Sequence, residues 1–373
     1  MKKIAFYAPL KPVGHPVPSG DRLMAQQLIG LLERAGHEVQ IASNVRAFLR
    51  DSENQADAQA LQHQCEQEVR RLSDQWQQLG APDAWFCYHS YFKSPDLIGP
   101  PLCKAFGVHY ITAEAAWSAR RNKGVWQDMQ ARVVKAIEQA SLNLCFTQRD
   151  RLGLQQIAPQ AHLADLKPFI DPRPFVTAGA KREPHHLVTV AMMRAGDKLQ
   201  SYEHLASALH LLMHLPWQLS IVGEGPLQAE VRRLFSAFPA ERIHWHGRLE
   251  PAAIAKLFAR CSVYVWPGCG EAYGLAYLEA QAAGLPVVAY QTAGVPEVVA
   301  DAHSGFLTPA GDTQAYADAV ARLLGDEALR QNMALAAAAQ VQQEHSTAQA
   351  VRTLETLLQD YLWDCKRPEK SNE

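Results

Sequence analysis

The sequence predicts an α/β protein with two Rossmann-like domains in tandem. Short apolar runs alternate with amphipathic stretches along the chain, a pattern typical of parallel sheets whose strands are joined by helices. The pattern is interrupted at Lys167–Phe175, where three prolines within seven residues indicate a linker. With 373 residues, 48% of them hydrophobic, each domain can have its own core. Because ligands bind outside the carboxyl ends of parallel strands, we expect the domains to face a central cleft.

The first domain, predicted over residues 1–170, begins with a strand. The apolar run from Ile4 ends at Lys11 and Pro12 without a small-residue cleavage site, so we interpret it as a strand and not as a signal peptide. Apolar periodicity then separates the strands from the helices. The predicted strands are Ile4–Ala8, Val39–Ala42, Trp85–Tyr88, His109–Thr112 and Leu142–Phe146, and the predicted helices are Ser19–Ala35, Gln55–Leu79 and Val125–Ala140.

The second domain, predicted over residues 171–346, repeats the alternation. Its predicted strands are Leu187–Met192, Gln218–Val222, Ile243–Trp245, Val263–Trp266 and Pro286–Ala289. After Gly311, Asp312 and Thr313 the pattern is helical almost to the end of the chain. We treat the last segment, 347–373, separately because it contains one further predicted helix, Thr347–Trp363.

Composition excludes several classes of function. A net charge of −2 and a pI near 6.7 leave no basic surplus for nucleic-acid binding. No stretch approaches 18 consecutive apolar residues, so no membrane span is predicted. Seven cysteines, an odd number without a C-x-x-C pair, favour reduced thiols in a cytoplasm. Arg120, Arg121 and Lys123 are a candidate for peripheral membrane association, although such a cluster is more often a group of solvated surface cations.

The most informative segment is Glu271–Gly284, where a loop leads at Gly274 into an apolar helix with Leu275, Leu278 and Ala282 on one face. Free N–H groups at the start of that helix favour an anion such as a phosphate. Glu271 before the helix start and Glu279 after it could then each bind hydroxyl groups of the same ligand. Alternatively, both could be solvated surface charges.

The same segment resembles a known family. Two glutamates separated by seven residues are followed by the pattern A-x-A-x-G-x-P-V-V-A, by Gly294–Val299 and by Gly305-Phe-Leu. This order resembles the retaining glycosyltransferases of family 4, which include glycogen synthases and phosphatidylinositol mannosyltransferases. The resemblance implies a GT-B fold, a nucleoside-diphosphate sugar as donor, a hydroxyl acceptor, and a role in bacterial-type glycan biosynthesis. It also implies that the last helix returns to the first domain.

The resemblance assigns roles to further residues. Arg194 and Lys198 would neutralise the donor diphosphate, although their spacing is tighter than in most of the family. Glu271 would hold the sugar and Glu279 the ribose. The donor-binding set that the resemblance implies is Gly20, Gly223, Arg248, Leu249, Tyr273, Gly274, Leu275 and Glu279.

The first domain departs from the family at one position. Many members place a histidine after the strand that begins at His109, and this sequence has Glu114 there. Glu114 and His89, at the ends of two predicted strands, are nevertheless candidate catalytic residues. The glycine-containing loop Val13–Arg22 matches the loop that folds over the donor phosphates, and Gly20 would permit close approach.

The predicted reaction needs neither a metal nor a bound cofactor. No D-x-D, H-E-x-x-H or paired cysteine motif offers metal ligands, and the nucleotide sugar is a substrate. Two other classes of function stay open. One is a sugar phosphorylase or nucleotide-sugar epimerase of the same fold, and the other is a degenerate nucleotide-binding partner subunit, which the substitution at Glu114 motivates.

Overall fold

A computed structural model describes residues 1–16, 19–176 and 182–364 of the chain. Val17 and Pro18 of the predicted phosphate loop, and Cys365, lie outside the described residues. The chain divides into two compact units. Unit 1 comprises Met1–Lys167 together with the chain from Ala350 onward, and unit 2 comprises Pro168–Gln349. Each unit contains a six-stranded sheet, and every strand pairing described is parallel. The predicted class of two Rossmann-like domains is therefore confirmed, while the cleft stays a prediction.

The sheet of unit 1 has the strand order β2-β1-β3-β4-β5-β6. Its strands are β1 (Lys3–Tyr7), β2 (Glu38–Ile41), β3 (Ala84–Tyr88), β4 (His109–Ala113), β5 (Leu142–Cys145) and β6 (Leu163–Asp165). The connecting helices are α1 (Gly20–Arg34), α2 (Gln55–Leu79), α3 (Gly99–Phe106), α4 (Val125–Gln139) and α5 (Gln148–Ile157). The central strand β3 is buried along its whole length, as expected for a strand covered by helices on both faces.

The sheet of unit 2 has the strand order β12-β11-β10-β7-β8-β9. Its strands are β7 (His186–Val190), β8 (Gln218–Val222), β9 (Ile243–Gly247), β10 (Val263–Val265), β11 (Val287–Tyr290) and β12 (Gly305–Thr308). Its helices are α6 (Asp197–Leu211), α7 (Gln228–Leu234), α8 (Pro251–Phe258), α9 (Leu275–Ala282), α10 (Thr313–Gly325) and α11 (Glu327–Glu344).

Each sheet has one point where the strand order reverses direction. In unit 1 this switch point lies between β1 and β3, and in unit 2 it lies between β7 and β10. The connections from two such neighbouring strands leave toward opposite faces of the sheet, so a crevice opens at the carboxyl ends of these strands, where ligands of open α/β sheets bind. The candidate sites of both units are found at these two switch points.

The last helix, α12 (Thr347–Leu358), continues into a wider helical turn, Gln359–Trp363. The ring of Trp363 lies 5.6 Å from the ring of His109 and 6.2 Å from that of His37. The Lys2 ammonium lies over the same indole, 5.0 Å from its centre. This end of the chain therefore packs on unit 1 at the amino ends of β1 and β4.

Some elements do not appear among the predictions because their sequences are weakly patterned. Strand β6 has three residues, and α5 is mostly polar and depends on Thr147, whose side chain accepts a hydrogen bond from the Asp150 backbone N–H. Helix α3 has two consecutive prolines directly after its first residue, Gly99; prolines favour a turn in a sequence but also fit the first turn of a helix. The strands and helices that the sequence predicts are all present, with ends shifted by one or two residues.

Candidate functional site

The loops after β7, β8 and β9 are joined by backbone hydrogen bonds at the carboxyl edge of the sheet in unit 2. The Met193 N–H donates to Glu224 O at 3.0 Å, and the Gly223 N–H donates to Gly247 O at 2.8 Å. A side chain at Gly223, which has a φ of +141°, would place its Cβ 1.9 Å from Ala191 O. Glycine at this position therefore lets the loops after β7 and β8 touch. The contact fixes the start of the segment that carries Arg194 and Lys198.

Glu271 lies in the loop between β10 and α9, on the other side of the switch point. Its Oε1 forms an ion pair with the Lys198 ammonium, although the two residues are 73 positions apart in the sequence. The Trp266 indole N–H donates to the same oxygen at 3.0 Å. The Lys198 ammonium also lies 5.5 Å from the centre of the Trp266 ring. Because the side chains of Lys198 and Glu271 are only 18% and 16% exposed, their charges are partly desolvated and interact strongly.

The loop before Glu271 packs closely against the start of α6. Gly270 has a φ of +66°, and a Cβ there would lie 2.2 Å from the Asp197 carboxylate. The Cys269 N–H also donates to Ser201 Oγ at 2.9 Å. A side chain at position 270 would therefore separate the loop from α6 and pull Glu271 away from Lys198.

Helix α9 begins after Gly274, where the sequence predicts it. No side chain caps this helix start, and its first turn contains no acidic residue, so the free N–H groups and the positive end of the helix dipole favour an anion. Further along, Glu279 is half-buried, and its side chain makes no hydrogen bond or ion pair with the residues that the structure describes. Burial raises its pKa to about 7. A carboxyl group in this condition is suited to accept hydrogen bonds from a ligand.

Arg194 is exposed in the loop between β7 and α6, and within the described ranges its guanidinium makes no ion pair or hydrogen bond. Arg248 follows β9 and is also exposed, with its guanidinium 4.0 Å from the Glu224 carboxylate.

The remaining donor-binding candidates of unit 2 differ in exposure. Tyr273 is buried, while Leu249 and Leu275 are partly exposed. The structure thus brings Lys198 and Glu271 into contact, but among the described residues it shows no such contact of Arg194 or Arg248 with Glu271 or Glu279.

Unit 1 has a polar cluster at its own switch point. His89 follows β3, and its Nδ1 lies 2.9 Å from Asp21 Oδ1 in the first turn of α1. Glu114 follows the neighbouring strand β4 and is buried, and the Tyr88 hydroxyl donates a hydrogen bond to it. His89 and Glu114 both have positive φ, +60° and +56°. Such backbone is costly for residues other than glycine and concentrates at functional sites.

The charges of this cluster are coupled. Burial alone would lower the pKa of His89, but the carboxylates of Glu114 and Asp21 outweigh this effect and raise the pKa to about 9. Burial raises the pKa of Glu114 above its usual range, against the opposing effect of the His89 charge. For Asp21, burial would raise the pKa, but the hydrogen bond and charge of His89 lower it overall. At neutral pH the cluster therefore holds an imidazolium between two acidic side chains.

Gly20 is the first residue of α1 and is exposed. The Ser19 side chain caps the helix by accepting from the Arg22 N–H at 3.2 Å, and no atom lies within 4 Å of a Cβ added at Gly20. A side chain at position 20 would therefore meet no atom of the described protein. Only a bound ligand could make glycine necessary at this position.

Sequence reasoning missed three residues of these sites. Trp266 contacts Glu271, Asp197 contacts the Gly270 backbone, and Asp21 pairs with His89. Trp266 directly follows a buried strand and precedes Pro267, which is the signal that could have identified it. Asp21 lies in the predicted loop Val13–Arg22, but its contact with His89 spans 68 positions and has no local signal in the sequence.

The described residues contain no group of three or more His, Cys, Asp or Glu side chains placed to hold a metal ion. None of the described helices combines the length and the apolar character that a membrane span needs.

Comparison with known proteins connects this geometry to a family. Residues 180–340 match the model of the glycosyl transferases group 1. The chain is similar to N-acetyl-alpha-D-glucosaminyl L-malate synthase of Bacillus anthracis, with 32% identity over 150 residues, covering 40% of this chain and 39% of that protein. It is also similar to a phosphatidyl-myo-inositol mannosyltransferase of Mycobacterium leprae, with 38% identity over 122 residues and 32% of each chain covered. The chain thus spans less than two fifths of the length of these relatives.

Solved structures match over nearly the whole chain. Sucrose-phosphate synthase from Thermosynechococcus elongatus has a TM-score of 0.74 at 19% identity, covering 98% of this chain and all of that one. HepE of Anabaena in complex with UDP has a TM-score of 0.72 at 16% identity, covering 96% of this chain and all of that one. At these identities the similarity establishes the fold, which confirms the predicted GT-B class. Residues 180–340, which contain Lys198, Glu271 and Glu279, are the part of the chain that is similar to the glycosyl transferases group 1.

Proposed function

We propose that this protein is a retaining glycosyltransferase of family 4 that moves a sugar from a nucleoside-diphosphate donor to a hydroxyl acceptor. The observation that carries the proposal is the arrangement at the switch point of unit 2. There Glu271 and Lys198 meet beside the uncapped start of α9, within a domain of the matching family. A carboxylate, a cation and free backbone N–H groups together suit a ligand with hydroxyl groups at one end and a diphosphate at the other.

The chemistry follows from where charge develops. When the bond from the sugar to the diphosphate breaks, negative charge grows on the leaving group, and preorganised donors at that point accelerate the reaction. Lys198, the exposed Arg194 and the start of α9 are the groups that would stabilise this charge. Glu271 would hold the sugar hydroxyls, and Glu279 would accept hydrogen bonds from the ribose.

We propose uracil as the base to test first. Structurally similar proteins have been solved with UDP, including HepE of Anabaena and the pneumococcal O-GlcNAc transferase GtfA with UDP and GlcNAc. The acceptor of this chain is a hydroxyl compound whose class we leave open among glycans, lipids and small metabolites. Peripheral membrane contact through Arg120, Arg121 and Lys123, all exposed, is part of the proposal only if the acceptor is a lipid.

The alternative functions are less well supported. A sugar phosphorylase would depend on inorganic phosphate, and an epimerase would convert the donor without an acceptor. The two relatives compared above have names that describe a synthase and a transferase. A degenerate binding subunit would lack turnover, but the partly buried pair of Lys198 and Glu271 and the charged cluster at His89 both retain groups able to do chemistry.

The first experiment is thermal unfolding against UDP, GDP, ADP and their glucose conjugates. A ligand at 100 times its dissociation constant stabilises the folded state by about 2.7 kcal/mol. We expect the nucleotides of one base to raise the unfolding temperature, and we expect Glu279→Ala to reduce that increase. Glu203→Ala, which removes an exposed glutamate from α6 in the same unit, is the matched control and should leave it unchanged. No stabilisation by any nucleotide would refute the proposal.

Turnover is tested next with the donor identified by binding. Slow hydrolysis of the donor without an acceptor should be detectable in the wild type and lost in Glu271→Ala and Arg194→Ala, while both variants remain folded. Full activity of either variant would remove that residue from the mechanism. The same assay in the presence of EDTA tests the proposed independence from metals, which predicts no loss of rate.

A further inference from the structure

We propose that Trp266 is a positioning residue for Glu271: its indole N–H holds Oε1 of the carboxylate so that Oε2 is left for the donor sugar. The inference rests on the proposed function, because it concerns how the sugar is held. It adds a residue that neither the sequence motif nor the pairing of Lys198 with Glu271 requires.

The indole is held rigidly at the end of the sheet. Trp266 directly follows β10 and is 2% exposed. Its ring packs edge to face on Tyr202, with ring centres 4.8 Å apart, and the Tyr202 hydroxyl donates to Ala191 O at 2.8 Å. The Tyr277 hydroxyl donates to the backbone carbonyl of Trp266 at 3.1 Å. The indole N–H thus has a fixed direction, set by contacts with Tyr202 of α6 and with Tyr277 of α9.

That fixed direction determines the orientation of the carboxylate. The Trp266 N–H lies 3.0 Å from Glu271 Oε1, and the Lys198 ammonium meets the same oxygen. A planar N–H donor on a rigid ring restricts the rotation of the carboxylate group, whereas an ammonium on a four-carbon stem is a mobile point charge. Both contacts use Oε1, which leaves Oε2 of Glu271 free to accept a hydrogen bond from a ligand.

The indole becomes more important once a donor binds. A diphosphate near the start of α9 attracts the Lys198 ammonium away from Glu271, since the phosphate oxygens carry more charge than the carboxylate. The Trp266 N–H cannot follow, because its ring is buried. It would therefore remain the contact that keeps Glu271 oriented while the sugar is bound.

Trp266→Phe tests the proposal, because it removes the N–H and keeps an aromatic ring against Tyr202. Trp217→Phe is the matched control: Trp217 is 3% exposed, and its indole N–H donates at 2.8 Å to Leu212 O, a backbone carbonyl. Calorimetric titration gives the dissociation constants of UDP, UDP-glucose, UDP-galactose and UDP-N-acetylglucosamine. The ratio of the constant for UDP to that for each UDP-sugar measures the contribution of the sugar to binding. We expect Trp266→Phe to bind UDP within about twofold of the wild type and to lose about tenfold in the sugar-dependent part, as for one charge-assisted hydrogen bond. Trp217→Phe should change neither.

The outcomes separate this inference from the proposed function. Equal losses for UDP and for the UDP-sugar, or no loss for either, would overturn the positioning role while leaving the donor site intact. Failure of the wild type to bind these four probes and also the glucose conjugates of GDP and ADP would overturn the proposed function itself.

If Trp266→Phe does not fold, the wild type can be labelled with ¹⁵N-tryptophan instead. The indole signal that moves in Glu271→Gln should then exchange slowly with solvent in the complex with the UDP-sugar. Exchange as fast as that of an exposed indole would contradict the proposal.

Discussion

The histidine cluster of unit 1 makes a prediction whose size can be worked out. His89 has its Nδ1 2.9 Å from Asp21, and its side chain is 22% exposed. The carboxylates of Glu114 and Asp21 raise its pKa to about 9, against the effect of burial. In the unfolded chain the pKa should return to about 6.5. Because the pKa is higher in the folded state, the proton stabilises the fold fully below pH 6.5, and this contribution is lost as the pH rises through about 9.

The magnitude follows from the difference between the two states. One pKa unit corresponds to about 1.4 kcal/mol, so a change from about 6.5 to about 9 corresponds to roughly 3 kcal/mol of unfolding free energy. The lowered pKa of Asp21 reflects the same contact, so it adds no further unfolding free energy to this figure.

The assay compares urea unfolding of the wild type and His89→Asn between pH 6 and pH 10. Asparagine is the suitable replacement, because it tolerates the positive φ at this position. The difference in unfolding free energy should be largest near pH 6 and should fall by roughly 3 kcal/mol by pH 10. If the two units unfold separately, the transition that responds to His89→Asn is the one to analyse.

His63→Asn is the control, since His63 is an exposed histidine of α2 in the same unit. It should change the unfolding free energy by a similar amount at each pH. A difference between the wild type and His89→Asn that does not change with pH, or that grows above pH 8, would refute the reasoning. In that case His89 would be neutral in the folded protein, and the two carboxylates would not act on its charge.

Two further predictions concern unit 2. Burial raises the pKa of Glu279 to about 7, so the affinity for a nucleotide sugar should fall roughly tenfold from pH 8 to pH 6 as this carboxylate gains a proton. In Glu279→Gln, titration calorimetry should show weaker binding with little dependence on pH. If the pH profile of the variant is the same as that of the wild type, Glu279 is not the titrating contact. Gly223→Ala should destabilise the protein by about 2 kcal/mol or more in thermal unfolding, since the new methyl group would meet Ala191 O at 1.9 Å. The control is Gly153→Ala in α5, where no atom lies within 4 Å of the added carbon. This change should be neutral or slightly stabilising. Equal effects of the two changes on the unfolding temperature would show that the loops after β7 and β8 can separate without cost.

The sequence was most informative where local pattern and chemistry coincide. The start of α9 at Gly274 could be predicted, because a loop with Glu271 changes there to helical spacing, and the structure places the helix start at the same residue. The half-buried position of Glu279 also follows from its apolar neighbours. The side chains that contact these glutamates could not be predicted from the local sequence. The role of Lys198 at the diphosphate stays a prediction, and its ion pair with Glu271 is visible only in the structure.

Several contacts at the candidate sites join residues that are distant in the chain. The sequence indicates Glu114 and His89 as two separate candidate catalytic residues, but β3 and β4 are neighbours in the sheet, so the Glu114 carboxylate acts on His89. The strand order of each sheet decides which loops meet, and it depends on how whole helices and strands pack. Local sequence carries little information on that packing.

The sequence by itself determined that the chain forms two α/β domains and that the Glu271–Gly284 segment contains the start of a helix in the second domain. Apolar periodicity and helix signals act over a few residues, so these features can be recognised without a structure. Only the tertiary structure decided that Asp21 meets His89 and that Trp266 and Lys198 share one oxygen of Glu271. Those contacts exist because β1 lies beside β3 and β7 beside β10, which places the loops that follow these strands at the same edge of each sheet.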